Sequence, residues 1–270
     1  FGVVGIAREL AAAGLGTLTP RDFEPVPGTF ESPLQISLEF PAGNEAACPL
    51  FVGRVFRGLT NRPSPPWLQE RLAAVGLRPI SALVDITNFI TLDLNRPLHV
   101  FDAAKLRGDL ILRFARPGER LLALDGRTYE LDPEVTVIAD RSGAISLGGI
   151  MGGESTGCTA ETTDVVLEIA LFDPKRTAAN GRRLGIESDA RTRFERGVDP
   201  AMVLPGMEYA TRLILELCGG EASKPIIAGA LPEAPRPFTF RLEQLKRLAG
   251  IALETEVVED HLRALGFGIE

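Results

Sequence analysis

The chain has 270 residues, 45% hydrophobic, 24% charged and 6% aromatic, with a formal net charge of −7. This allows one large or two small folded domains and excludes disordered, collagen-like and coiled-coil chains, because the 28 Gly and 20 Pro are scattered without period. No apolar run reaches the ~18 residues of a membrane helix, and three distant cysteines (Cys48, Cys158, Cys218) with two distant histidines (His99, His261) offer neither a disulfide framework nor a metal motif.

The chain opens at Phe1 without methionine and closes at Glu270 in an apolar stretch, which reads as a piece of something longer. A helix is predicted over 5–13, stopped by Gly14. Residues 15–47 are rich in Pro, Gly and acidic side chains and read as a linker with one strand near 34–40. Residues 51–56 alternate as a strand. Ser64 followed by Pro65 and Pro66 predicts a capped helix with Leu68, Leu72 and Val75 on one face and Gly76 as its stop. A second helix is predicted over 82–94.

Residues 110–114 and 121–124 are strand-like, and Asp125-Gly126 predicts a two-residue hairpin turn into 128–131. Strands at 135–139, 144–147 and 165–169 complete a β-rich middle. Between Lys175 and Arg196, seven basic residues meet three acidic ones, a window of +4 that leaves −11 for the rest. It reads either as a local nucleic-acid contact on an acidic body or as the solvated face of an arginine-rich helix. A helix over 201–217 presents Val203, Met207, Ala210, Ile214 and Leu217, with Gly219-Gly220 as its stop. After a linker at 232–237, short helices are predicted over 242–248 and 256–265. The mixed order of strands and helices indicates α+β rather than a repeating βαβ pattern.

Polar groups concentrate in four segments: Val84-Asp85-Ile86-Thr87-Asn88 with Arg96-Pro97-Leu98-His99-Val100-Phe101-Asp102; Ser146 to Glu154 with its two Gly pairs; Glu168 alone in an apolar strand; and Gly185 to Gly197. Each has a structural reading beside the functional one. The Gly pairs make a tight turn or line a pocket, and they lack the lysine of a P-loop. His99 is a structural hydrogen-bonder or a site residue. Glu168 faces solvent or a pocket. Asp85, Asp102 and Asp189 read as caps or turn formers.

The strings VDITN…RPLHVFD, LGGIMGGE, VLEIALFDP and RRLGIESDARTRFERGVDP, in this order, resemble the β chain of bacterial phenylalanyl-tRNA synthetases from about residue 48 to 217. The resemblance implies an α+β fold of mixed, largely antiparallel sheets flanked by helices, with the truncated start of a winged-helix-like module at the C-terminus. Residues 1–47 would end the preceding module and form a linker, 48–230 would be a tRNA editing domain, and 231–270 a linker and the start of the next module. The implied activity is hydrolysis of tyrosine misattached to phenylalanine tRNA.

In that picture Thr87, Asn88 and His99 act at the ester, Pro97 lies beside them, and Gly152 lines the amino-acid pocket. Glu168 accepts the tyrosine hydroxyl, and Ser188 and Ala190 close the pocket side. Ser188 stands where the family often has Thr, and Arg183-Leu184-Gly185 replaces an Arg-His-Gly run. No cofactor is implied within this stretch; ATP and magnesium serve the intact enzyme, whose aminoacylation site is on the α chain. The implied partners are phenylalanine tRNA and α subunits (two α and two β chains), with tyrosine as editing ligand, no membrane, and a cytoplasmic location. The physics fits: a site for phenylalanine rejects tyrosine imperfectly, so a second sieve that demands the hydroxyl becomes useful, and a carboxylate is acceptor-only. The alternative is a non-catalytic tRNA-binding or scaffolding module of the same fold.

Overall fold

β-branched and aliphatic runs separate into two groups of strands, and each group closes into its own sheet. The computed structural model describes residues 1–232 and 237–269, so the linker expected at 232–237 lies largely outside the described residues. One sheet has the order β1 (Ile36–Glu39), β4 (Leu110–Phe114), β7 (Thr136–Asp140), β8 (Gly143–Leu147) and β9 (Met151–Gly152), with β1 parallel to β4 and the other pairs antiparallel. The other has the order β11 (Glu221–Ala222), β2 (Leu50–Arg57), β10 (Val165–Leu171) and β3 (His99–Asp102), with β12 (Ile226–Gly229) also on β2, all antiparallel. A hairpin joins β5 (Arg120–Leu122) to β6 (Thr128–Glu130).

Strand β10 is buried along its whole length and shows why the layers stack. Its side chains alternate between faces. Val166 and Ala170, with Phe51, Val55 and Phe101 from the neighbouring strands, meet Leu110, Leu112, Ile138 and Ile145 of the first sheet. On the opposite face Ile169 approaches Gly206 of α6 (Val203–Cys218). Burying each large aliphatic side chain contributes about 1.5–3 kcal/mol. The result is a helix layer over one sheet and a second sheet beneath it, an α+β arrangement of largely antiparallel sheets flanked by helices.

Arg54 of β2 ties the helix layer to the sheet. It is 0% exposed, with Nη1 donating to Glu208 Oε2 at 3.0 Å and Thr211 Oγ1 at 3.3 Å, and Nε to the Ser223 carbonyl at 2.7 Å. Helices α2 (Pro66–Ala74) and α3 (Ala82–Leu94) complete this layer. Ser64 is not the cap of α2. Its hydroxyl donates to Asp85 Oδ2 of α3, and Pro65 occupies the cap position without a side-chain bond. Leu68 and Leu72 are buried as expected, whereas Val75 is exposed. On α6, Leu213 and Cys218 are buried and Leu217 is partly exposed.

The Asp125-Gly126 pair closes a three-residue loop rather than a two-residue one, with Ala123 N donating to the Arg127 carbonyl at 2.9 Å; such loops put a type I turn before the glycine. The stretch read as a linker at 15–47 does carry one strand, β1, and from Asp22 onward it belongs to the larger unit, Phe1–Gly2 with Asp22–Leu231. The Arg-rich window forms α4 (Pro174–Leu184) and α5 (Asp189–Phe194). A second unit takes Val3–Arg21 and Pro232–Glu270; it holds α1 (Val3–Ala12), α7 (Leu242–Ala249) and α8 (Thr255–Ala264), the helices expected there. No helix among the described residues is long and apolar enough to cross a membrane.

Candidate functional site

Pairing in the second sheet sets Glu168 directly opposite His99 on one side and Gly53 on the other. Directly paired residues share a face, here the face toward the first sheet, and the solvent-facing reading of Glu168 is thereby excluded. Glu168 is 7% exposed, and its Oε2 is buried without a hydrogen-bond partner. Burial pushes its carboxyl up to about 8, against the pull of the nearby Arg96 charge. A buried acceptor left unmade costs about 1–3 kcal/mol.

His99 shares that condition. Its Nε2 is buried without a partner, and burial holds the imidazole at about 4, so the ring is neutral at physiological pH. The ring meets Phe101 edge-on at 4.7 Å. Gly152 of β9 lies against it: a Cβ there would sit 2.6 Å from His99 Cε1 and 2.8 Å from Nε2. Glycine at 152 is thus set by close approach. The preceding Gly148-Gly149 pair makes the tight turn between β8 and β9, with Ile150 N donating to the Leu147 carbonyl at 3.0 Å, so the turn reading of that pair holds.

The remaining predicted residues divide. Ser188 caps α5, accepting from Arg191 N at 3.1 Å, and its hydroxyl donates to the Ile150 carbonyl at 2.6 Å. It therefore fastens α5 to the turn that leads into β9 and Gly152. Ala190 packs half-buried against the inter-sheet core beside Phe194. Pro97 is buried at the entry to β3. Thr87 and Asn88 sit on α3; the Thr87 hydroxyl donates to the Val84 carbonyl of its own helix at 2.7 Å, and neither residue hydrogen-bonds His99 or Glu168 among the described residues. Asp102 caps the short turn after β3 as expected, accepting from Ala104 N, whereas Asp85 accepts from the Ser64 hydroxyl and Ile80 N, and Asp189 pairs with Arg193 Nε instead of capping.

Sequence reasoning missed Arg96 as a site residue, although it stands inside one of the four motifs. It is 0% exposed and adjoins Glu168 and Cys48 electrostatically. Burial draws its guanidinium down to about 10, opposed by Glu168, Asp199 and Cys48. Burial also pushes the Cys48 thiol up, and Glu168 adds to that. An arginine ahead of a proline and an apolar strand was the available signal. The +4 window is halved: Arg191, Arg193 and Arg196 pair with Asp189 and Glu195, which its net charge already counts, and only Glu134 and Asp132, paired with Arg176 and Arg183, come from outside it. Beside the site, Met151, Ile186, Arg127 and Tyr129 line part of an open cavity of about 360 Å³.

The B3/4 domain pattern matches residues 47–219, a span that includes every one of these groups. The chain belongs to the B3/4 domain family. This B3/4 chain is similar along its whole length to phenylalanine–tRNA ligase β subunits. It is 57% identical to that of Paramagnetospirillum magneticum over 269 residues, covering 100% of this chain and 34% of the relative. It is also 57% identical to that of Cereibacter sphaeroides over 270 residues, covering 100% and 33%. The chain thus spans about a third of the length of these curated relatives. An N-terminal fragment of the phenylalanyl-tRNA synthetase β-subunit from Pyrococcus horikoshii aligns over 96% of this chain and 70% of that one, with a TM-score of 0.46 and 15% identity. The two β-subunit relatives carry the resemblance read from the four motifs over the whole chain.

Proposed function

We propose that this B3/4 domain is the editing domain of a phenylalanyl-tRNA synthetase β chain and hydrolyses the ester of tyrosine misattached to phenylalanine tRNA. The observation that carries the reading is Glu168, a carboxyl buried between two sheets with an unmade acceptor. Phenylalanine entering that space leaves it unmade, whereas tyrosine supplies a hydroxyl donor, and a site built to bond a hydroxyl rejects the analogue lacking it. Gly152 leaves room beside the His99 ring, and the neutral imidazole serves as a hydrogen-bonding group at the ester rather than as an acid.

Aminoacyl ester hydrolysis is intrinsically easy, so holding a water with Thr87, Asn88 and His99 provides the required positioning. Pro97, Ser188 and Ala190 shape the walls. Residues 48–230 are the editing domain, 1–47 the end of a preceding module and a linker, and 231–270 a linker and the start of a winged-helix-like module. ATP and magnesium belong to ligation by the intact enzyme with its α subunits, two α and two β chains in the cytoplasm. Among the described residues no group of three or more His, Cys, Asp or Glu side chains is placed to hold a metal.

The test is calorimetric titration of tyrosine and phenylalanine into wild type and Glu168→Ala at pH 8.5, above the Glu168 midpoint. A hydrogen bond to a charged group contributes about 1.5–3 kcal/mol, so the variant should weaken tyrosine about 10- to 150-fold and phenylalanine far less. A tyrosine preference that survives the substitution removes Glu168 from recognition. Tyrosyl-tRNA left intact by the wild-type chain favours the scaffolding alternative.

A further inference from the structure

Leu124 follows β5 at the tip of the β5–β6 hairpin, beside the Asp125-Gly126 turn, and is 48% exposed. A single exposed leucine is ordinary, but this one is held in place at the site. Its N–H donates to the Gly152 carbonyl at 3.0 Å, and Ala123 bridges to Gly153, so the hairpin tip is tied to β9 at the site glycine. Asp125 braces the tip, accepting from Arg127 N at 3.0 Å and from the Tyr129 hydroxyl at 2.6 Å.

The side chain is laid across two glycines. Leu124 Cδ1 would lie 3.1 Å from a Cβ at Gly152, and Cδ2 3.7 Å from a Cβ at Gly157. Neither glycine has a positive φ, so the backbone demands glycine at neither position. The same point above Gly152 lies 2.6 Å from His99 Cε1 and 2.8 Å from Nε2. A leucine methyl and the imidazole edge thus border one niche, the space that Gly152 leaves. Asp125 and Met151, sequence neighbours of Leu124 and Gly152, line the open cavity of about 360 Å³. Leu124 therefore has water on one side and, on the other, the ring edge whose Nε2 is buried and unpartnered.

We propose that Leu124 is a substrate-contacting residue: its side chain covers His99 on the solvent side of the Gly152 niche, and an aminoacyl ester that reaches His99 packs against it. The ligand rests on the editing reading, whereas the cover does not. A branched aliphatic group suits both tasks. It keeps bulk water off the imidazole, which leaves the hydrolytic water to be the one the site positions. It also gives the acyl group an apolar wall with no polar atom to satisfy.

Two measurements on the 270-residue chain test this. The first is NMR titration of the histidine rings; there are two, His99 and His261, and His261→Gln assigns them. On the elements beside the His99 ring the charged or titratable groups are Glu168 of β10 and, at the hairpin tip, Asp125 and Arg127, yet burial is what holds the ring at about 4. Leu124→Ala lets water reach the niche and should raise that midpoint by about one unit or more toward the ordinary value, while the similar volume of Leu124→Met should hold it within about half a unit.

The second is titration of L-tyrosine. Leu124→Ala should weaken binding about tenfold or more, the factor usual for lost apolar contact in a pocket. Leu124→Trp, on a half-exposed hairpin tip, should fold like wild type but fill the niche and abolish tyrosine binding. An alanine variant that titrates and binds like wild type overturns the proposal, as does a folded tryptophan variant that binds tyrosine unchanged. A shifted His99 midpoint with unchanged tyrosine affinity overturns the contact with the ligand. A wild-type chain that binds no tyrosine overturns the editing reading and that contact together, and the His99 midpoints then decide the cover alone.

Discussion

Replacing Gly152 by alanine probes the space between the sheets without asking anything unusual of the backbone, because Gly152 is not among the residues with positive φ. The added Cβ would lie 2.6 Å from His99 Cε1, 2.8 Å from Nε2 and 3.1 Å from Leu124 Cδ1. Carbon atoms rest at about 3.5–4.0 Å, so the imidazole must retreat by roughly 1 Å. Its surroundings oppose that: Phe101 stands edge-on to the ring, and β3 is paired to β10 through His99 itself. Overpacking of this kind costs about 1–3 kcal/mol, and for a body of this size each kcal/mol lowers the melting temperature by about 2–4 °C. Thermal unfolding followed by circular dichroism gives the first number, and tyrosine titration gives the second. The expected result is a modest loss of melting temperature with a loss of tyrosine affinity of about tenfold or more, one such factor for each 1.4 kcal/mol. An alanine variant that melts and binds like wild type would show that the His99 ring does not depend on the space Gly152 leaves, and the site's geometry as described would be refuted.

Ala190→Trp should abolish deacylation of tyrosyl-tRNA and, because Ala190 packs on the inter-sheet core, lower stability by about 1–3 kcal/mol; unchanged melting with full activity would place Ala190 outside the pocket. Glu119→Gln should flatten the acid limb of the stability curve. Burial raises the Glu119 carboxyl, but the paired bonds from Arg113 and the N–H groups of Arg116 and Ala144 outweigh it and hold the group at about 2. A depressed carboxylate stabilises the fold above its unfolded value of 4.5, and this is lost as pH falls toward 2. Discounted for solvent contact, it is worth about 1–2 kcal/mol. Denaturant unfolding between pH 2 and 6 measures it, and identical curves for wild type and variant would contradict the account.

Sequence periodicity served best where one apolar face decides the element. Helix α3 forms over the predicted span because Leu83, Ile86, Ile90 and Leu94 all need cover and all receive it. Helix α4 escaped that logic. Its side chains are polar nearly all round, and it is defined by its ends and by distant partners: Asp173 accepts from Arg176 N, Pro174 opens the first turn, Gly185 closes the last, and Glu134 and Asp132 pair with Arg176 and Arg183. Cap residues were visible in the sequence, whereas ion pairs across forty residues were not, which is also why the +4 window promised more free charge than the surface carries. Ser64 looked like a cap because local spacing could not reveal Asp85. For the site, alternation along β10 correctly put Glu168 opposite Leu167 and Ile169, but whether that face met solvent depended on the first sheet, built from residues 36–152. Arg96 was legible only as part of a motif; its burial depends on α6 arriving over it.

The strand order of the second sheet has a consequence for how the chain is made. Strand β2 ends at Arg57, and the partner that flanks it in the middle of the sheet, β10, begins at Val165. At about 5–20 residues per second a ribosome separates these two segments by roughly 5–20 s. During that interval β2 has neither β10 nor the still later β11 and β12 to pair with, while β4, β7 and β8 follow one another closely enough to assemble locally. Such long-range pairing also slows refolding, since loop closure comes before the contacts that reward it. The candidate site, which lies where β10 meets β3 and β9, is thus among the last features of the larger unit to exist, and nascent chains released before Leu171 hold His99 and Gly152 without a completed strand to organise them.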